Sequence, residues 1–121
     1  MDVLLVDDSR TMRLLVQRAL RQAGFRSLVV GEAANGVEAL KTLETERPRL
    51  VLSDWNMPEM SGIELLQNLR SSNNMVPLGF LTSEASAEIR ECAMDNGASF
   101  LINKPFTPED VQAALNPILG G

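Results

Sequence analysis

Short apolar runs and helical stripes alternate along this chain from end to end. Val3-Leu4-Leu5-Val6 is a continuous apolar run, the kind that a parallel strand buried on both faces requires. After it, Met12, Leu15, Val16, Ala19, Leu20 and Ala23 recur at helical spacing, and Gly24 supplies a helix stop. Ser27-Leu28-Val29-Val30 is the predicted second strand. Asn35-Gly36 turns the chain into a helix carrying Val37, Leu40 and Leu43 on one face, ended before Pro48. Leu50-Val51-Leu52-Ser53 is the third strand, and Ile63, Leu66 and Leu69 mark the next helix. Leu78-Gly79-Phe80-Leu81 is a weaker fourth strand, because its glycine offers no side chain to pack. Ala85, Ile89, Cys92 and Ala93 stripe a fourth helix that stops at Asn96-Gly97, with Cys92 expected as a buried small apolar residue. Phe100-Leu101-Ile102 is the fifth strand. The last helix opens with Thr107 as N-cap, Pro108 at the first helical position and acids in the first turn. Val111, Ala114, Leu115 and Ile118 form its apolar face. Pro117 removes a backbone donor beyond the first turn and is expected to shorten or bend it.

Five strand–helix units with short connections imply an α/β fold, an open doubly wound parallel sheet with helices on both faces. A closed eight-fold barrel would need about twice the 121 residues present. With no repeat, low-complexity tract or linker, residues 1–121 read as one domain, and 45% hydrophobic content suits one sizeable core. No stretch approaches the roughly 20 apolar residues needed to cross a bilayer, and the N-terminus lacks the basic start of a signal peptide. The single cysteine makes a reducing cytoplasm the expected home. A net charge of -5 argues against a general nucleic-acid or anionic-membrane binder. The absence of histidine removes His-based acid–base chemistry, the usual zinc sites and the Ser-His-Asp triad.

Ligands of open α/β sheets sit beyond the carboxyl ends of the strands, where strand order reverses. The polar residues concentrate there. Asp7 and Asp8 follow strand one, Asp54 strand three, Thr82 strand four and Lys104 strand five. Taken singly each has a bland reading: Asp8 or Ser9 could cap a helix, and Lys104 could be a surface lysine before a turn proline. Together they are costly, since two like charges about 4 Å apart repel by roughly 4 kcal/mol at an effective dielectric near 20. Either some carboxyls stay protonated or a cation is present. Oxygen ligands without His or paired Cys select a hard ion, Mg²⁺ or Mn²⁺, and Mg²⁺ suits a site that also expects phosphate oxygens. An aspartate nucleophile, a divalent ion, the Lys104 ammonium and the Thr82 hydroxyl make a phosphoryl-transfer site.

Val6-Asp7-Asp8-Ser9, then Asp54-Trp55-Asn56-Met57-Pro58-Glu59-Met60-Ser61-Gly62, Leu81-Thr82 and Lys104-Pro105-Phe106 resemble the response-regulator receiver family along essentially the whole chain. The likeness is strongest to its single-domain chemotaxis (CheY-like) members. The resemblance implies a five-stranded, flavodoxin-like sheet of order 2-1-3-4-5. It implies Asp54 as phosphoacceptor, Asp8 as direct Mg²⁺ ligand, Asp7 acting mainly through a metal-bound water, and the Asn56 carbonyl as a further ligand. Thr82 would follow the phosphoryl group and Lys104 would pair with it across a cis Lys104-Pro105 bond. The donor would be a histidine kinase or histidine phosphotransfer protein. The output would be a protein target met through helix four, strand five and helix five, as in chemotaxis or motility, with no direct nucleic-acid contact and no membrane insertion. The chain would then be a switch and not an enzyme, apart from its own phosphorylation and dephosphorylation. It stops at Gly120-Gly121 without an effector domain, as a stand-alone regulator or an excised receiver would.

Arg10, Arg13, Arg18 and Arg21 with Leu14 form a candidate docking face on helix one, or an ordinary solvated face. Trp55 adjoins the acceptor and should report on its occupancy. Three alternatives compete. A metal-dependent phosphatase or phosphotransferase would also use an aspartyl phosphate, but haloacid-dehalogenase-type enzymes need Asp-x-Asp where this chain has Asp54-Trp55-Asn56. A flavodoxin would need a phosphate loop where this chain has two carboxylates. A degenerate receiver, acting only as a binding module, would have lost site residues that are all present here. One departure from the family pattern stands out. The position three residues before Lys104, usually Tyr or Phe, is Leu101, and the neighbouring Phe100 is expected on the opposite face of the strand.

Overall fold

The computed structural model describes residues 1–120. Five strands, β1 (Val3–Val6), β2 (Val30–Ala33), β3 (Leu50–Asp54), β4 (Leu78–Thr82) and β5 (Phe100–Asn103), alternate with five helices. These are α1 (Arg10–Gln22), α2 (Gly36–Thr42), α3 (Gly62–Ser71), α4 (Ala87–Asp95) and α5 (Pro108–Leu119). All strand pairs are parallel, in the order β2-β1-β3-β4-β5. This is the expected flavodoxin-like sheet. Strand order reverses at β1 and β3, which places a crevice beyond their carboxyl ends.

Alternate strand residues feed two cores, one on each face. Val3, Leu5, Leu50, Leu52, Leu81, Phe100 and Ile102 pack with α1 and α5 through Val16, Leu20, Val111 and Leu115. Leu4, Val6, Val51, Leu78, Phe80 and Leu101 pack with α2, α3 and α4 through Ala39, Leu65, Leu66 and Ala93. Phe100 and Leu101 therefore do face opposite sides. Each helix start is capped by a side chain: Ser9, Asn35, Ser61, Ser86 and Thr107 each accept from a backbone amide three residues on. Ser61–Glu64 and Thr107–Asp110 form full capping boxes, which satisfy two orphan amides at each end. Among the described residues, no helix is long and apolar enough to cross a membrane.

Several local expectations are corrected. The second strand is Val30–Ala33, displaced toward the C-terminus from the apolar run at 27–30. It is an edge strand paired only with β1, so its register follows Val3↔Val30 and it tolerates Gly31 and Glu32. Val29 precedes it and is 62% exposed. In α2 Gly36 and Ala39 are buried, Leu43 is buried and Leu40 packs beside it as expected, while Val37 points outward at 54% exposure. Cys92 is exposed, not buried, since α4 fully buries only Ala93. Pro117 does not shorten α5, which continues through Leu119 with the Gly120 amide bonded to the Asn116 carbonyl at 2.9 Å. The missing proline donor falls in the last turn, where little of the helix depends on it.

Gly79 is no weakness. Its strand is buried throughout, and a Cβ there would land on the Phe100 ring well under 3.0 Å. The two residues are register partners, and the glycine leaves the space that the ring fills.

Candidate phosphoacceptor site

The sheet brings Asp7, Asp8, Asp54 and Lys104 together at its carboxyl end, with Thr82 closing the neighbouring strand β4 and Asn56 two residues beyond β3. Val6 pairs with Ser53, so the next residues, Asp7 and Asp54, fall side by side at the reversal point. Asp54 pairs with Leu81, Thr82 pairs with Asn103, and Lys104 follows directly. The Lys104 amide donates to the Thr82 carbonyl at 2.7 Å, continuing the ladder past the end of β5. The Lys104-Pro105 bond is cis, as expected.

Carboxylate oxygens of Asp7, Asp8 and Asp54 lie within 4.8 Å of one another. Lys104 Nζ donates to Asp54 Oδ1 at 2.9 Å and lies 4.0 Å from Asp7 Oδ2. Asp7 and Asp54 are buried, Asp8 and Asn56 exposed, and the Lys104 side chain is 18% exposed. Ser9, not Asp8, caps α1, so the Asp8 carboxylate is not spent on the helix. Asp7 Oδ1 accepts from the Ser9 amide at 2.9 Å, while Asp7 Oδ2 is buried without a hydrogen-bond partner among the described residues. Burial pushes the Asp7 carboxyl above its ordinary value. The Asp54 and Asp8 charges add to that rise, and the Ser9 amide and Lys104 oppose it. One ammonium against three carboxylates leaves a charge deficit, and the unpartnered oxygen points into it. This donor set fits a hard divalent cation that needs few protein ligands and keeps its waters.

Thr82 is buried, and its Oγ1 accepts from the Glu84 amide at 3.1 Å. Gly62 closes the other side. A Cβ there would strike the Asp54 carbonyl and, at 2.7 Å, the Phe80 ring, so α3 can start close beneath the acceptor only with glycine. Trp55 meets Phe80 edge-on, with centroids 4.9 Å apart.

The sequence matches the family model for the response regulator receiver domain over residues 3–116. The chain belongs to this family. It is 35% identical to the chemotaxis protein CheY1 of Helicobacter pylori, across 99% of this chain and 98% of that one. It is 38% identical to a probable chemotaxis protein CheY of Rhizobium etli, across 98% and 92% of the two chains. Among solved structures, chemotaxis protein CheY4 of Vibrio cholerae superposes with a TM-score of 0.85 at 36% identity, covering 98% of each chain.

Within this receiver domain, one residue near the acidic loop was missed by sequence reasoning. Arg13 does not belong to the free basic face of α1. Its Nη1 donates to the Asp7 carbonyl, its Nε donates to Glu32 Oε1 at 2.8 Å, and its side chain is only 15% exposed. The one sequence cue is its position four residues after the cap Ser9, which returns it to the same side of the helix. Arg10, Leu14, Arg18 and Arg21 remain exposed, as the docking-face reading requires.

Proposed function

We propose that this receiver domain accepts a phosphoryl group on Asp54 and thereby switches its protein contacts. The observation that carries the reading is the Lys104 ammonium held 2.9 Å from Asp54 beside the unpartnered oxygen of Asp7. Asp8, Asp54 and the Asn56 carbonyl would hold Mg²⁺, or Mn²⁺ in its place, with Asp7 reaching it through water. When bound, the ion would supply charge neutralisation on the phosphoryl oxygens. An Asp54 carboxylate oxygen attacks phosphorus in line, the P–N bond of a phosphohistidine breaks, and the imidazole leaves as an acyl phosphate forms. Lys104 transfers its hydrogen bond from Asp54 to an incoming phosphoryl oxygen, and the Thr82 hydroxyl turns from Glu84 toward another. Burial of Asp54 and Thr82 limits the approach of the water that hydrolyses the product.

The donor is a histidine kinase or histidine phosphotransfer protein, met on α1 through the exposed Arg10, Leu14, Arg18 and Arg21. The target is a protein contacting α4, β5 and α5. The similarity to chemotaxis proteins supports a place in chemotaxis or motility, in the cytoplasm, for a switch with no turnover beyond its own phosphorylation and dephosphorylation. Intact mass spectrometry after acetyl phosphate and Mg²⁺ tests this. One added phosphoryl group is expected on the native protein and none on Asp54→Asn; full labelling of the variant would end the assignment.

A further inference from the structure

The acidic loop after β1 has to aim two consecutive carboxylates at one ion, although neighbouring side chains in an extended chain point apart. The direction of the peptide joining Asp7 to Asp8 decides that aim. Its amide side is fixed at one remove: the Asp7 amide donates to the Ala33 carbonyl at 3.1 Å, and Asp7 Oδ1 takes the Ser9 amide. Its carbonyl side is held by Arg13 Nη1. The guanidinium is itself locked, because Nε donates to Glu32 Oε1 at the end of the neighbouring strand β2 and the side chain is mostly covered. A planar fork with one arm on a carbonyl and the other on a carboxylate has little freedom left. Asp8, exposed and free of capping duty, depends on this peptide for its orientation.

From this arrangement we infer that Arg13 is a positioning residue for the divalent-ion site: it fixes the Asp7–Asp8 peptide, and Glu32 fixes Arg13. The inference rests on the metal-binding reading given above. Coulomb's law alone predicts the opposite outcome, since removing a positive charge beside a cation site should tighten binding. The sign of the effect therefore separates aiming from simple electrostatics.

The test is an equilibrium Mg²⁺ titration followed by Trp55 emission, on the full chain without phosphoryl donor. Arg13→Met keeps the buried stem and removes the donors. It is expected to weaken Mg²⁺ by about tenfold, the low end for groups that orient metal ligands. Arg13→Lys retains a donor for the Asp7 carbonyl and should recover part of the loss. Thermal midpoints in excess chelator, and the amide shifts of Asp8 and Ser9, separate local reorientation from general destabilisation. Unchanged or tighter Mg²⁺ binding in a folded Arg13→Met overturns the role of Arg13 alone. If the native protein gives no saturable response that Asp8→Ala removes, the metal reading falls, and this inference falls with it.

Discussion

Adding one methyl group at Gly79 should damage this fold in a way that only Phe100 can relieve. In Gly79→Ala, the new Cβ meets Cε1, Cζ and Cδ1 of Phe100, all well under the 3.0 Å that real Cβ atoms respect. The ring cannot swing away freely, because Phe100 is 9% exposed and packed into the core beneath α1 and α5. Overpacking of this kind costs about 1–3 kcal/mol. Replacing a strand glycine by alanine returns roughly 0.5–1 kcal/mol through the unfolded chain. The net expectation is a loss of about 1–2 kcal/mol, or roughly 4–8 °C in Tm for a chain of this size. Urea denaturation followed by far-UV circular dichroism measures it. The deciding experiment is a double-mutant cycle with Phe100→Leu, which shortens the ring that occupies the space. The two changes should be coupled by about 1 kcal/mol or more, the double variant being less damaged than the sum. Additivity within about 0.5 kcal/mol would mean that the ring does not sit over Gly79.

Arg70→Met should destabilise the fold by about 2–3 kcal/mol, because the guanidinium bonds the carbonyls of Asn74, Val76 and Gly97 and bonds to charged groups are the strong ones; chemical denaturation that shows no loss would refute its tie between the α3–β4 and α4–β5 loops. Pro117→Ala restores a donor toward the Ala113 carbonyl in the last turn of α5 and should raise stability by about 1 kcal/mol, less than the roughly 3 kcal/mol of a helix interior; an unchanged thermal midpoint would count against it. Leu101 is already buried at 7% exposure and carries no ring to swing inward. A beryllofluoride phosphoryl mimic should therefore shift amides around Thr82 and Glu84 more than those of α4, β5 and α5, and a rearrangement centred on Leu101 in the chemical shifts would contradict this.

The residues themselves determined most of the fold and nearly all of the candidate site. Continuous apolar runs at Val3–Val6 and Leu50–Leu52, too short for buried helices, read as strands covered on both faces, and Thr107-Pro108-Glu109-Asp110 fixes a helix start by local hydrogen bonding. Because parallel strands end where their apolar runs end, Asp7, Asp54, Thr82 and Lys104 had to gather on one edge of the sheet. The tertiary structure decided what depends on partners distant in sequence. The register of β2 comes from β1, so the apolar run at 27–30 misplaces the strand, which is Val30–Ala33. Cys92 lies outward because packing of α4 against the sheet buries Ala93 and not its neighbour. Gly79 gains its meaning from Phe100, on the next strand, and Arg13 gains its own from a carbonyl six residues back and a glutamate 19 residues on. Periodicity records which face of an element is covered. It does not record what covers it, because that choice is made by packing between elements that the chain brings together only when it folds.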